Sequence, residues 1–456
     1  MRVLEIFTLI VLILAPASSK SQKVTITPVP ISVDRSFTNI TGMCQDNKGF
    51  LWLADNYNGL LRYDGSELVS YKSNPRDPNS LISDNLECLY AGSKGNIWIG
   101  SYQNGLDRFE TETETFTHFR HNSTDPSSLC SDMIGALLED HNGTVWIGTN
   151  KGLDTLNRQT GKFTHIKDNS EDGLALNQEQ IRVLYEDRSG TIWIGCGNPF
   201  YKQDPLLHGL YRFDKATRKI TRYHHNEKDE TSLVDNRVRT IFEDSRGVFW
   251  IGTAGDGLHI MNREKGTFQR CLYDPKNLQK LSRPPVNVHA DYAADHITFI
   301  NEDMQGCIWI GTYAGGINRY NPTTKTIEYF GTSGNGSHKI NKNDFWGFLK
   351  TKDNLLWVAG WEPENDSQVL YRISTLPNRF NYSQIGKEVR AFAQDADSTM
   401  WVGTNSGLLK NNEDSFLTEI NKAIPNNFIW SLEHDSLNNL WISTLDGLYY
   451  FNKITN

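Results

Sequence analysis

The tryptophan at the end of the phrase "EDRSGTIW" constrains this chain more than any other residue, because it returns on a register. It stands at Trp52, Trp98, Trp146, Trp193, Trp250, Trp309, Trp357, Trp401 and Trp441, with successive gaps of 46, 48, 47, 57, 59, 48, 44 and 40 residues. A period of that size is the length of a four-stranded sheet that covers its faces only by stacking on copies of itself. Six residues before the Trp stands Asp46, Asp140, Asp187, Asp244, Asp303, Asp395 or Asp435, and three before it Gly or Asn. A carboxylate that accepts turn amides, followed by a residue that tolerates positive φ, marks a hairpin between a first and a second strand. The second strand, as in "TIWIG", is a continuous β-branched and aromatic run that suits burial on both faces. A Gly-Leu or Gly-Ile pair then opens a third strand such as "GLYRFD", and an alternating run such as "KFTHI" supplies an outer fourth strand.

The fold class is therefore all-β, a β-propeller of four-stranded antiparallel blades. The nine Trp residues are read as packing residues of the repeat, since function rarely calls for nine equivalent copies of one group. Between blades lies a second phrase, "SNPRDPNSLISDN" and its relatives, whose Leu81, Leu129 and Leu233 are expected to anchor a compact polar turn. The segment Val24 to Val33 is expected either to close a propeller by pairing with a distant blade or to be loosely held, and a fourth strand of the seventh repeat is placed near Phe380.

Other features bound the function. The opening "MRVLEIFTLIVLILAPASSK" has the layout of a secretory signal peptide over residues 1–19, with an apolar stretch shorter than a membrane span. Forty-six basic against 54 acidic residues, without long runs of one sign, leave no footprint for nucleic acid or an anionic membrane. Six scattered cysteines without a C-x-x-C are read as free thiols. His289, Asp291, Asp295 and His296 have metal-binding residue types but read as solvated turn residues, so neither a metal nor a cofactor is expected. No G-x-S-x-G, H-E-x-x-H or P-loop occurs.

Taken together, ED-x-x-G-x-[IV]-W-I-G-T, then G-L-x-R-[FY]-[DN], then D-P-x-S-L, resembles the two-component regulator propeller repeats over about residues 36 to 452. The pattern departs in the second repeat, where Gly92 replaces Asp, and in the seventh, where Thr351 does and "VLYRI" lacks the Gly. Such repeats form the periplasmic sensor region of hybrid two-component systems, chiefly in polysaccharide-degrading gut bacteria. There, two seven-bladed propellers precede a β-sandwich, a membrane helix, a histidine kinase, a receiver and a DNA-binding domain. The resemblance implies a fragment, with one seven-bladed propeller over residues 20–385 and two blades of a second over 386–456. It implies a non-enzymatic, periplasmic sensor of oligosaccharide, attached to the membrane only through a missing C-terminal part, with the unpaired blades a possible seam for a homodimer. A propeller glycosidase or lyase, and a scaffold for protein partners, compete with that reading. The ligand site is placed on the loop after the repeated Trp, at Tyr57, Tyr102, Phe200, Tyr201, Tyr313, Trp361 and Glu362, where aromatic platforms stand beside polar groups suited to sugar hydroxyls.

Overall fold

The computed structural model describes residues 24–29, 39–166, 176, 179–199, 208–255, 257–272, 274, 276, 281, 296–313, 315–332, 340, 344–360, 370–375, 388–395, 399–412, 415–419, 428–435 and 439–451. The signal-peptide reading and His289, Asp291 and Asp295 lie outside them. Every described element is a strand. The chain divides into two compact units, Met1–Leu376 and Pro377–Asn456.

One sheet shows how the repeat works. Ile134–Glu139, Val145–Thr149, Gly152–Asn157 and Lys162–His165 pair antiparallel in chain order. At the first hairpin Asp140 Oδ1 accepts the amides of Asn142 and Thr144, while Gly143 turns the chain at φ 79°. The other carboxylate oxygen accepts the indole N–H of Trp146 at 3.1 Å, so one Asp fixes both the turn and the side chain that the turn delivers to the core. Seven of the nine repeats make this Asp–Trp bond, at 2.8–3.2 Å. The spacing predicted the turn but not the bond. Where Gly92 stands in place of Asp, the Trp98 indole nitrogen is buried with no acceptor. Where Thr351 does, its hydroxyl donates to the Leu355 carbonyl, beside the backbone bonds that close the turn.

The first unit holds seven four-stranded sheets among the described residues. Their second strands are buried at every position, because each sheet is covered on both faces. Each repeated Trp packs toward the following sheet, as Trp52 does on Phe109 (5.3 Å), Trp146 on Phe213 (5.6 Å) and Trp193 on Phe249 (4.8 Å). Seven apolar clusters lie between successive sheets, and the last joins Trp357 and Leu370 to Ile40, Leu51 and Tyr63 of the first sheet. Seven sheets with seven shared interfaces make a closed ring, with the innermost strands around a central channel.

The chain seals that ring from its N-terminal side. Thr25–Pro28 pairs antiparallel with Leu370–Ser374 as the outer strand of the seventh sheet, with Thr25 opposite Ser374 and Pro28 opposite Tyr371. Of the two expectations for Val24–Val33, pairing with a distant sheet is the one observed for its first residues. The described outer strand of that sheet is thus not the one placed near Phe380, which lies outside the described residues.

Leu81, Leu129 and Leu233 are buried beneath their turns, as expected of anchors. The amide after each is held from the third strand: Ile82 by Asp107, Cys130 by Asp154, each at 2.8 Å, and Val234 by Nε2 of His259 at 3.1 Å. Asp107 and Asp154 are themselves paired with His118 and His165, both at 2.6 Å. Burial holds His259 down to about 4, which keeps its accepting nitrogen unprotonated at neutral pH. All six cysteines are free, and burial, with the neighbouring Asp154 charge, pushes Cys130 up to about 12. Cys130, Asp154 and His165 come close enough to suggest a metal cluster. The same Asp–His pair serves Ile82 with no thiol present, so the cluster is a loop tie.

The second unit has a four-stranded sheet over Val389–Gln394, Met400–Thr404, Gly407–Asn412 and Ser415–Glu419. Beside it is a three-stranded sheet over Ile429–His434, Leu440–Thr444 and Leu448–Phe451. One apolar cluster, built on Trp401, Ile429 and Ile442, joins them.

Candidate functional site

Every innermost strand of the first unit opens with an irregularity at the same place. The ladder slips between Ile40 and Gly42, Leu86 and Cys88, Ile134 and Ala136, Ile181 and Val183, Val238 and Thr240, Ile297 and Phe299, and Phe345 and Gly347. A bulge leaves one residue out of the ladder and re-aims its side chain. The residues so placed are Thr41, Glu87, Gly135, Arg182, Arg239, Thr298 and Trp346, a ring at one end of the channel.

Two contacts run across this ring. Arg182 passes the side-chain-free Gly135 to donate to Glu87 Oε1, two sheets away, at 2.7 Å. Arg239 passes Thr298 in the other direction and lays its guanidinium over the Trp346 ring, 5.2 Å from the centroid. The ring therefore carries two guanidinium groups and one carboxylate. The Nε atoms of Arg182 and Arg239 and the Thr298 hydroxyl are enclosed and meet no partner among the described residues. Loss of solvent, with the adjacent Arg182 charge, brings Arg239 down to about 10, so it stays a cation at neutral pH.

The loops after the repeated Trp dock at the same end. Their amides bond to the carbonyl just before an innermost strand: Tyr102 to Asn85 at 3.0 Å, Asn150 to Met133 at 3.1 Å, Ala254 to Arg237 at 2.8 Å and Tyr313 to His296 at 3.2 Å. Tyr102, 37% exposed, lines a cleft with Glu87, Ile134, Asn150 and Arg182. Tyr313 packs edge-on against Trp346 at 5.1 Å and near His296 at 6.1 Å. The structure thus brings Tyr102 and Tyr313 to the charged ring. Tyr57, 66% exposed, makes no ring contact among the described residues. Phe200, Tyr201, Trp361 and Glu362 lie outside those residues. Beneath the long fourth-sheet loop, Glu179 accepts from Tyr211 at 2.7 Å and pairs with His208 at 2.5 Å, and is fully used in holding the loop's base.

Sequence reasoning missed the bulge ring, although it left a signal. The position just after the first apolar residue of each inner strand reads Thr, Glu, Gly, Arg, Arg, Thr, Trp, while its neighbours keep to the repeat. Variation at one fixed position of a repeat is what a shared surface with local duties looks like.

Comparison with known proteins follows the same geometry. The model of the two-component regulator propeller matches residues 128–151, 175–198, 232–255, 383–406 and 423–446, each spanning an Asp–Trp hairpin and the inner strand before it. The chain carries two-component regulator propeller repeats. These repeats occur in both units, two of the five matches falling in the second. A curated relative, histidine kinase P4 of Formosa agariphila, is 25% identical over 235 residues, 47% of this chain and 15% of that protein. Among solved structures, the extracellular domain assigned to the hybrid two component system BT3049 of B. thetaiotaomicron superimposes with a TM-score of 0.61 at 23% identity, covering 95% of this chain and 54% of that one. Virginiamycin B lyase of Staphylococcus aureus superimposes with a TM-score of 0.53 at 12% identity, over 77% of this chain and 99% of the lyase chain. Both likenesses speak to the fold. The chain spans about half of the extracellular domain that it resembles and a small part of the kinase.

Proposed function

We propose that this chain is the periplasmic ligand-sensing region of a hybrid two-component signalling protein, that it recognises an oligosaccharide, and that it regulates polysaccharide utilisation. The observation that carries the reading is the single mouth at which Tyr102 and Tyr313 meet a ring of charged and hydroxyl side chains. An exposed aromatic face beside hydrogen-bonding groups suits a sugar ring, and loops at one end of a propeller channel are its usual recognition surface. The repeats support the signalling role, since the relative they point to is a histidine kinase. In such a protein, ligand at the mouth acts by favouring one arrangement of the sensor over another, through unequal affinity for the two.

Thermal unfolding of the chain against a panel of plant and host oligosaccharides tests this. One glycan is expected to raise the midpoint with concentration, and Tyr102→Ala with Tyr313→Ala is expected to remove the rise. A panel without any shift, or a shift indifferent to both substitutions, removes the site from the mouth.

A further inference from the structure

We infer that the ring at the channel mouth is an anion-binding subsite, and that the group it takes is the carboxylate of an acidic saccharide, a uronate. The inference rests on the sensing reading for the saccharide, but the charge argument stands on the ring itself.

Glu87 is hydrogen-bonded to Arg182, which leaves Arg239 stacked on an aromatic ring with no carboxylate bonded to it, the Glu87 charge reaching it only at a distance. The cation–carboxylate pair just before its own strand offers nothing, because Asp235 is engaged by Arg237 through contacts of 2.6 and 2.9 Å. The second unit supplies a control. Arg390 occupies the corresponding bulge and likewise lies over a bulge-position tryptophan, Trp430, at 4.9 Å. Arg390, however, is bonded to Glu388 at 2.8 Å. The residue at the Glu388 position of the fifth sheet is Arg237, another cation. The stacked arginine is thus a shared device, and the missing carboxylate belongs to the first unit alone.

A partly enclosed guanidinium with no carboxylate bonded to it is poorly compensated, and an arriving carboxylate improves that while matching the planar fork with two parallel hydrogen bonds. Sugar hydroxyls are neutral and do not offset the charge. The enclosed Thr298 hydroxyl, on the ring between Arg239 and Trp346, adds a donor for the same group. Tyr102 beside Arg182 supplies the apolar platform for the pyranose that bears it. A simple inorganic anion has no use for that platform, so the ring points to an acidic sugar.

The test is calorimetric titration and thermal unfolding of the full chain at low salt. Probes are trigalacturonate and trimannuronate, their neutral counterparts galactotriose and mannotriose, and methyl galacturonide as a single acidic unit. At least one uronate trimer is expected to bind, with affinity falling at least tenfold in Arg239→Gln and falling with added salt. A second measurement needs no ligand: Arg239→Gln is expected to leave the unliganded midpoint unchanged or raised, whereas Arg182→Gln, which strips Glu87 of its partner, lowers it. Uronate affinity unchanged in Arg239→Gln overturns the inference, as does the absence of uronate binding. Binding of neutral trimers alone, lost in Tyr102→Ala, overturns it and leaves the sensing reading standing. Binding of methyl galacturonide that depends on Arg239, with no trimer bound, upholds the anion subsite and overturns the oligosaccharide reading.

Discussion

The two units are built from the same repeat, yet they bury it differently. Seven sheets in the first unit share seven apolar interfaces, so each has a neighbour on both sides. Two sheets in the second unit share one among the described residues, so each has a flank with no sheet of that unit against it. Leu137, on the third inner strand, is buried, whereas Phe392, at the corresponding position of the second unit, is 65% exposed. Trp430, Leu445, Leu448 and Tyr450 are exposed with it. Residue types are alike in both units, and the number of neighbours decides which are core. Two tryptophans make the distinction sharper. Trp98 is fully buried although it lacks the Asp bond, while Trp441 keeps that bond at 3.2 Å and remains 37% exposed. Burial of the repeat thus comes from stacking, and the Asp bond orients what stacking buries.

The largest expected effect tests closure. Deleting residues 24–29 removes an outer strand and two buried valines, Val24 and Val29, each worth about 1.5–3 kcal/mol. The first unit's thermal midpoint is expected to fall by about 10 °C or more, while a transition of the second unit stays in place. An unchanged midpoint would mean that the ring does not depend on this strand for closure. Next in size, Trp309→Ala should cost about 3–5 kcal/mol in chemical denaturation, against about 1 kcal/mol or less for the half-open Trp441→Ala. Equal losses would break the comparison, since they would mean that flank exposure does not govern the contribution of the repeat. The smallest effect has the opposite sign. Gly92→Asp places an acceptor near the Trp98 indole, but its Cβ would lie 2.1 Å from Asn96 Oδ1, so it must be combined with Asn96→Thr. The double substitution is expected to stabilise by about 1 kcal/mol, and a loss in its place would show that the buried indole nitrogen gains nothing from an acceptor.

Much of this was legible in the residues. The Trp register, the D-x-x-G turn and the Gly-Leu start of the third strand give the sheets and their hairpins, because those signals act within some twenty residues of chain. Leu81, Leu129 and Leu233 could be placed under their turns for the same reason, since an apolar residue in a polar loop has one place to go. The site was legible in part. The loops after the Trp were recognised as a surface, and Tyr102 and Tyr313 reach the mouth, but neither Arg182, Arg239, Glu87 nor Trp346 drew notice. An arginine at the start of a strand looks like a solvated end until the bulge turns it inward and a second arginine is set beside it.

The sequence by itself determined the repeat: its strands, its turns and the residue each copy commits to packing, all encoded by patterns shorter than one sheet. The tertiary structure alone decided that seven copies close, that Thr25–Pro28 meets Leu370–Ser374, and that side chains from sheets two apart meet over a channel. Those outcomes depend on how many sheets fit around an axis and on what each neighbour covers. No local pattern carries that information, because it exists only once the copies are stacked.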